Sequence, residues 1–328
     1  MPYRMRFGAD DLLRCRFAIS PLWETHQAVY TLLSPERQGY HLPWLRRGRE
    51  AAAGLDLSPI ALVNPVRGYH PDFLCPPPEG PLASFEEELA RVRATDLDVV
   101  RRELARSLAD TPGAARTPEG RAMLADPAAA LRQLTALLER AWHTLLAPDW
   151  PRLRALLEAD IAFHARRLAE GGLEALFADL HPRLVWSGDT LSIARPGDHC
   201  RELGGGGLML VPSAFSWPEV IGGFEPPWPT TVVYPARGIA GLWATPDADT
   251  AEALVRLLGA NRAALLTGLA EPASTTALAH RHGLALSSVS AHLSVLRAAG
   301  LLTSRRQGHQ VLYERTPLGT ALIGGADR

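Results

Sequence analysis

The sequence predicts an α+β fold that is mainly helical: a helical N-terminal body with a small β-rich segment, then a compact C-terminal unit. Three observations lead there. Apolar residues recur at helical spacing from about 84 to 180. Short β-branched and aromatic runs, cut by turn residues, fill 183–246. Beyond residue 247, short helical and strand signals alternate closely. At 328 residues the chain is long enough for two or three domains. Four segments are read: 1–82, an α/β segment; 83–182, a helical bundle; 183–246, β-rich; and 247–328, the C-terminal unit.

Bulk properties narrow the class. A hydrophobic content of 47% with 21% charged residues is that of a globular protein. All 34 basic residues are arginine. The net charge of −1 hides an asymmetry: residues 250–328 hold eight Arg against four acidic residues, and residues 1–249 hold 26 against 31. A basic end on an acidic body fits nucleic-acid contact confined to that end. Cys15, Cys75 and Cys200 are few and far apart, which argues against a disulfide framework and for a reducing, cytoplasmic setting. The N-terminus leads straight into charged residues, so no signal peptide is expected. No apolar run reaches the length of a membrane span, so no membrane partner is expected.

In the first segment, Tyr3–Phe7 reads as a strand, and Asp10 or Asp11 as the cap of a helix through Leu12, Leu13 and Phe17. Ser20-Pro21 starts a helix with Leu22, Ala28, Val29 and Leu32 inward, ended by Ser34-Pro35. Residues 42–53 form a further helix, and Ser58-Pro59 opens a short apolar stretch. Four prolines in 72–81 exclude regular structure and suggest a link between subdomains. Ser84-Phe85-Glu86-Glu87 is a capping box. Phe85, Leu89 and Val92, then Leu97, Val100, Leu104 and Leu108, keep helical spacing with a break near Asp96. Residues 111–120 read as a loop. Asp126-Pro127 and Asp149-Trp150-Pro151 open two more helices, the second ended by Gly171-Gly172. These stripes read as a bundle core. Five strands are expected at 184–186, 191–193, 208–211, 231–234 and 238–243, with Gly204–Gly207 as a flexible connection. Asp247 or Asp249 is expected to cap the next helix.

Candidates for chemistry in the body are sparse. The tetraglycine lacks the lysine and hydroxyl residue of a phosphate loop, and no hydrolase, zincin or kinase signature occurs. No catalytic residue and no cofactor is expected. His199-Cys200 is the one adjacent pair of soft ligands; with Cys15, Cys75, His41 or His70 it would need to meet in space, and buried small residues are the plainer reading, so no metal is expected. Trp186, Trp217, Trp228 and Trp243 suit either a core or the wall of a pocket for a small-molecule effector.

The most informative stretch is 274–324. Ser274-Thr275-Thr276 caps a short helix that ends at Gly283. In the next helix Val289, Leu293 and Leu296 form one apolar stripe, and Ser287, Ser290, Ala291, Ser294 and Ala298 lie opposite it. Residues 301–304 and 311–315 read as strands around a polar tip with Arg305, Arg306, Gln307, Gly308, His309 and Gln310. Thr316-Pro317 starts a last helix. The run Thr276–Ala279, then Val289-Ser290-Ala291-His292-Leu293-Ser294-Val295-Leu296-Arg297-Ala298-Ala299-Gly300-Leu301-Leu302, then a hairpin ending at Tyr313, resembles the winged helix-turn-helix domain of ArsR-type transcription regulators. The resemblance covers about a quarter of the chain. The body is similar to uncharacterised N-terminal regions joined to such domains in GC-rich bacteria. Two positions depart from the family pattern: Leu286 where a polar residue is common, and Ala291 where a second histidine is common. The cysteine pair of the metal-sensing branch is missing from 250–328.

The resemblance implies a DNA-binding regulator, by family habit a repressor, that binds a near-palindromic operator on duplex DNA as a homodimer. Thr275, Thr276, Ser287, Ser288, Ser290, Ala291, Ser294, Arg297, Arg305, Arg306, Gln307 and His309 would face the nucleic acid. The serines would meet base edges or phosphates, the threonines a phosphate at a helix N-terminus, and the wing arginines phosphates or a narrow minor groove. Two alternatives stand beside this reading: a protein-interaction or dimerisation module, and a ligand-binding, enzyme-like body with a winged-helix appendage.

Overall fold

The computed structural model describes residues 3–34, 39–65, 68–194, 199–224, 227–243, 248–269, 272–307 and 310–323. About 59% of it is helical, with several small sheets, so the class is α+β. The chain divides into two compact units, Met1–Trp243 and Ala244–Arg328. No helix among the described residues is long and apolar enough to cross a membrane.

In the first unit, β1 (Tyr3–Arg6) alternates buried and exposed side chains. α1 is a single turn, Ala9–Leu12, and β2 (Arg16–Phe17) follows, so Phe17 is on a strand and not on the expected helix. Asp11 explains the early stop. Its carboxylate accepts hydrogen bonds from Gly8 N and from Gly207 N, each at 2.9 Å. The tetraglycine is therefore a docked segment, not a loose one: Gly207 has φ +73°, and a Cβ there would collide with the Arg14 backbone.

α2 (Pro21–Leu33) starts at Ser20, whose hydroxyl accepts from Trp23 N, and ends at Ser34; Pro35 lies outside the described residues. α3 (Leu42–Ala51) and α4 (Ser58–Val63) follow. The proline-rich stretch opens with one 3-10 turn, Asp72–Leu74. It does not separate two cores, because Ile60, Phe73, Phe85, Leu104 and Leu134 share one apolar cluster.

α5 (Phe85–Arg93) has the expected capping box; at the expected break Asp96 accepts from Asp98 N and so caps α6 (Leu97–Asp110). Leu97, at the first position of α6, is exposed, unlike the rest of its stripe. The loop expected at 111–120 holds a helix start: Thr117 accepts from Gly120 N, and Pro118 begins α7 (Pro118–Ala125). α8 (Pro127–Ala141) and α9 (Trp150–Leu180) complete the bundle. Gly171 and Gly172 do leave helical dihedrals, but the helix resumes and buries Leu176, Phe177 and Leu180.

β3 (Leu184–Ser187), β4 (Thr190–Ile193) and β5 (His199–Glu202) join the first strand in the order β3-β4-β1-β5. β6 (Met209–Ser213), β7 (Ile221–Gly222) and β8 (Thr231–Pro235) form a second sheet, β2-β6-β8-β7, whose first three strands are parallel. β6 and β8 are buried at every position, as parallel strands covered on both faces are. Leu210, Val232 and Tyr234 pack with β1 and the end of α9, while Met209, Val211 and Val233 pack with Trp23, Cys75 and Phe224.

The strand expected at 238–243 does not form. Gly238 (φ +82°) opens a 3-10 turn, and Ile239, Leu242 and Trp243 enter the helical core instead. Trp243 Nε1 donates to His41 Nδ1 at 2.7 Å, and His41 Nε2 lies 3.0 Å from the Ala214 carbonyl oxygen. The His41 ring stacks on Phe215 with centroids 4.3 Å apart. The last described residue of the unit thus plugs its own core.

The second unit runs α10 (Ala248–Leu258), α11 (Ala260–Thr267), β9 (Ala273–Ser274), α12 (Thr275–His282), α13 (Leu286–Ala298), β10 (Leu302–Gln307), β11 (Gln310–Arg315) and α14 (Pro317–Ile323). Of the two caps expected for α10, Asp247 lies outside the described residues and Asp249 falls inside the helix. The sheet order is β10-β11-β9. One apolar cluster, with Leu265, Leu266, Leu278, Val289, Leu293, Leu296 and Ile323, holds the unit together.

Candidate nucleic-acid interface

Local chemistry fixes α12 and α13 at their ends. Ser274 Oγ accepts from Ala277 N at 3.3 Å. Gly283 takes φ +64°, and both Gly283 N and Leu284 N donate to the Ala279 carbonyl. The chain turns within three residues into α13, which ends in the same way: Gly300 has φ +72°, and Leu301 N donates to the Leu296 carbonyl at 3.0 Å. Leu301 is buried; its carbonyl accepts from Thr316 N, and Thr316 Oγ1 donates to the Gly300 carbonyl. Thr316 Oγ1 also accepts from Gly319 N, capping α14 as expected.

Burying Val289, Leu293 and Leu296 decides which side of α13 faces out. Ser287, Ser288, Ser290, Ala291 and Ser294 are all exposed, and they form a face of small side chains. Leu286 and Val295 are exposed beside them. Arg297 is exposed, and its Nη1 donates to Ser304 Oγ at 3.3 Å, tying the end of α13 to β10. At the start of α12, Thr275 is half-buried and Thr276 exposed.

The hairpin pairs Leu302 with Arg315 through to Gln307 with Gln310. Arg305 and Arg306 are adjacent on one strand, so their side chains leave opposite faces. They therefore cannot grip one phosphate together. Arg305 Nε lies 3.9 Å from Glu314 Oε2, which offsets part of its charge. Arg306 is exposed and shares its face with Ser304, the partner of Arg297. Gly308 and His309 lie outside the described residues, as do the side chains of Gln307 and Gln310.

The body places its candidates differently. His199 and Cys200 are exposed on the edge strand β5. No group of three or more His, Cys, Asp or Glu among the described residues is placed to hold a metal ion. Trp186 packs on Phe7 and Phe177, Trp228 donates to Glu103, and Trp243 is in the core, whereas Trp217 lines a cavity. A titratable group that the sequence reading missed joins α9 to β8. Asp160 accepts from Tyr234 OH and from Arg237 N, each at 2.9 Å, with His164 beside it; Asp160, His164 and Tyr234 are buried. Burial and the Asp160 charge hold the Tyr234 phenol well above its ordinary value. Shut off from solvent, this group acts as a brace between helix and sheet.

Residues 84–240 match a family of unknown function, DUF5937; the matched stretch ends before the second unit. Neither the curated proteins nor the solved structures give a match to the chain.

Proposed function

We propose that this chain is a DNA-binding transcription regulator whose second unit is a winged helix-turn-helix acting as a homodimer on a near-palindromic operator. The observation that carries the reading is the outer face of α13, where five small side chains stand exposed opposite a fully buried stripe. A helix with such a face can approach the floor of the major groove closely. The ArsR-type resemblance of residues 276–313 supports the same reading, and so does the excess of arginine past residue 250. α13 would lie in the groove with Thr275 and Thr276 of α12 at a phosphate, and β10 and β11 would reach the flanking backbone as the wing. No long polar side chain stands among the five, so sequence would be read through serine hydroxyls and DNA shape more than through bidentate base contacts. Pairing two copies would double a short site, and Val255 and Leu257, exposed on α10, offer apolar surface for it. Repression is the family habit.

The test is fluorescence anisotropy with duplex DNA from the gene's own upstream region against a scrambled duplex, at two salt concentrations. Tighter binding to the native duplex that persists at higher salt is expected. Replacing Arg297 and Arg306 with Ala should weaken binding to both duplexes and shallow the salt dependence, by about one ion per lost contact. An unchanged salt slope would remove the wing from the interface. Absence of binding at both salts would favour the interaction-module reading, for which the exposed Leu286 and Val295 would be the contact.

A further inference from the structure

The first unit contains a cavity of about 1000 Å³ between α2, the 68–75 segment, β5 and the connection from β6 to β7. That is the upper end of the range for small-molecule sites, roughly 300–1,000 Å³. It lies beside the parallel strands where the chain leaves the carboxyl end of β6: Phe215, Ser216 and Trp217 follow Ser213 directly into its wall. Ligands of open α/β sheets favour this position, because strand ends leave loops free to shape a site.

Three wall residues carry a buried polar atom with no hydrogen-bond partner among the described residues: Trp23 Nε1, His26 Nδ1 and Ser216 Oγ. The three residues are 7%, 3% and 4% exposed. Unpaired buried groups are rare, because each has lost water without a replacement. All three can donate. The Asn64 amide nitrogen lies 3.1 Å from His26 Nε2, which leaves the ring proton on Nδ1. Burial and the nearby His70 push the His26 imidazole down to about 3, so the ring is neutral.

The charged groups of the wall are already engaged. Asp110 accepts from Tyr69 N and Asp72 from Tyr69 OH. Arg201 donates to the carbonyls of Phe224 and Trp228, Arg106 lies over the Tyr69 ring, and Glu219 pairs with Arg183. With Glu219 paired to Arg183, two carboxylates (Asp72, Asp110) and two guanidiniums (Arg106, Arg201) remain, so the wall has no net charge to select an ion. Aromatic rings dominate what remains: Trp23 meets Phe224 edge-on at 5.8 Å, and Tyr30 meets His70 at 5.4 Å.

We propose that this cavity binds an uncharged, planar aromatic molecule bearing carbonyl or hydroxyl oxygens, which accept hydrogen bonds from Trp23, His26 and Ser216. The rings of the wall take the flat faces of the molecule, and its oxygens give the three donors the partners they lack. The binding is independent of the DNA reading, since every residue that it invokes lies in the first unit.

The experiment titrates 3-hydroxyflavone, a neutral tricyclic with one carbonyl and one hydroxyl, into the full chain and follows its environment-sensitive emission. Saturable one-to-one binding is expected, weakened about tenfold in Trp23→Phe and again in Ser216→Ala, each of which removes one donor. Trp186→Phe, away from the cavity, should bind as the parent does. Thermal melts establish that each variant is folded. The anionic 1-anilinonaphthalene-8-sulfonate should bind at least tenfold more weakly. Non-saturable binding of the flavone, equal affinity in both donor variants, or preference for the anion would each overturn the proposal.

Discussion

The two units differ in how many polar side chains they bury. In residues 1–243, Glu24, His26, His41, Glu88, Asp160 and His164 are all within the interior. In residues 248–323 the serines of α13 and Arg305 and Arg306 of the hairpin are on the outside, and the core is aliphatic. Buried polar groups need partners of fixed geometry, and they make an interior sensitive to pH and to whatever fills its gaps. An aliphatic core with a polar skin is indifferent to both. The contrast is that of a container and a presented face.

The largest test of that contrast is Trp243→Ala. Removing a buried indole that donates to His41 should cost the first unit about 3–5 kcal/mol. All eight tryptophans lie in residues 1–243, so tryptophan emission in urea reports that unit alone. A loss below about 1 kcal/mol would mean that the residue merely rests on the core.

A second test uses pH. Burial pushes the Glu24 carboxyl up to about 7, only partly offset by the Ser213 hydroxyl and the Ala214 and Phe215 amides. The unfolded carboxyl has its ordinary value of 4.5. Between the two the unfolded chain has lost a proton that the folded chain keeps. The group's contribution is therefore complete below 4.5 and is lost as pH rises through about 7. Glu24→Gln should match the parent at pH 4.5 and exceed it by up to about 3 kcal/mol at pH 8. Urea melts across that range check it, and a constant difference would contradict the buried acid. The second unit should show no such dependence in hydrogen exchange.

The smallest effect belongs to the second unit. A Cβ at Gly319 would overlap the Leu301 carbonyl oxygen, whose hydrogen bond from Thr316 N closes the hairpin against α14. Gly319→Ala should cost about 1–3 kcal/mol. Faster amide exchange in α13 and β10 with an unchanged tryptophan transition is the expected signature. A shifted tryptophan transition would show that the units do not unfold separately.

What the sequence revealed follows the reach of the forces. α12, α13 and α14 were legible because Ser274, Gly283, Gly300 and Thr316 act within five residues of themselves or at the next turn. The same grammar located the starts at Ser20, Ser84 and Asp126, and it was present but unread at Thr117-Pro118. The cavity was not legible. Trp23 and Ser216 meet only through the pairing of β2 with β6, and neither carries a local mark. Gly238–Trp243 has a strand's composition, but a left-handed glycine and the pull of the helical core turned it inward. The splitting of Arg305 from Arg306 was available from strand alternation alone.

The pairing of β1 also sets a timetable for synthesis. Its partners arrive late: Arg6 meets Glu202, 196 residues downstream. At about 5–20 residues per second, the strand leaves the ribosome roughly 10–40 s before it can pair, while the bundle helices form from neighbours already made. A waiting apolar strand is a template for its copies on the same message. In Tyr3-Arg4-Met5-Arg6 every second residue is a cation. The residues that face solvent in the finished sheet are thus gatekeepers beforehand, keeping this strand of one nascent chain from joining that of the next.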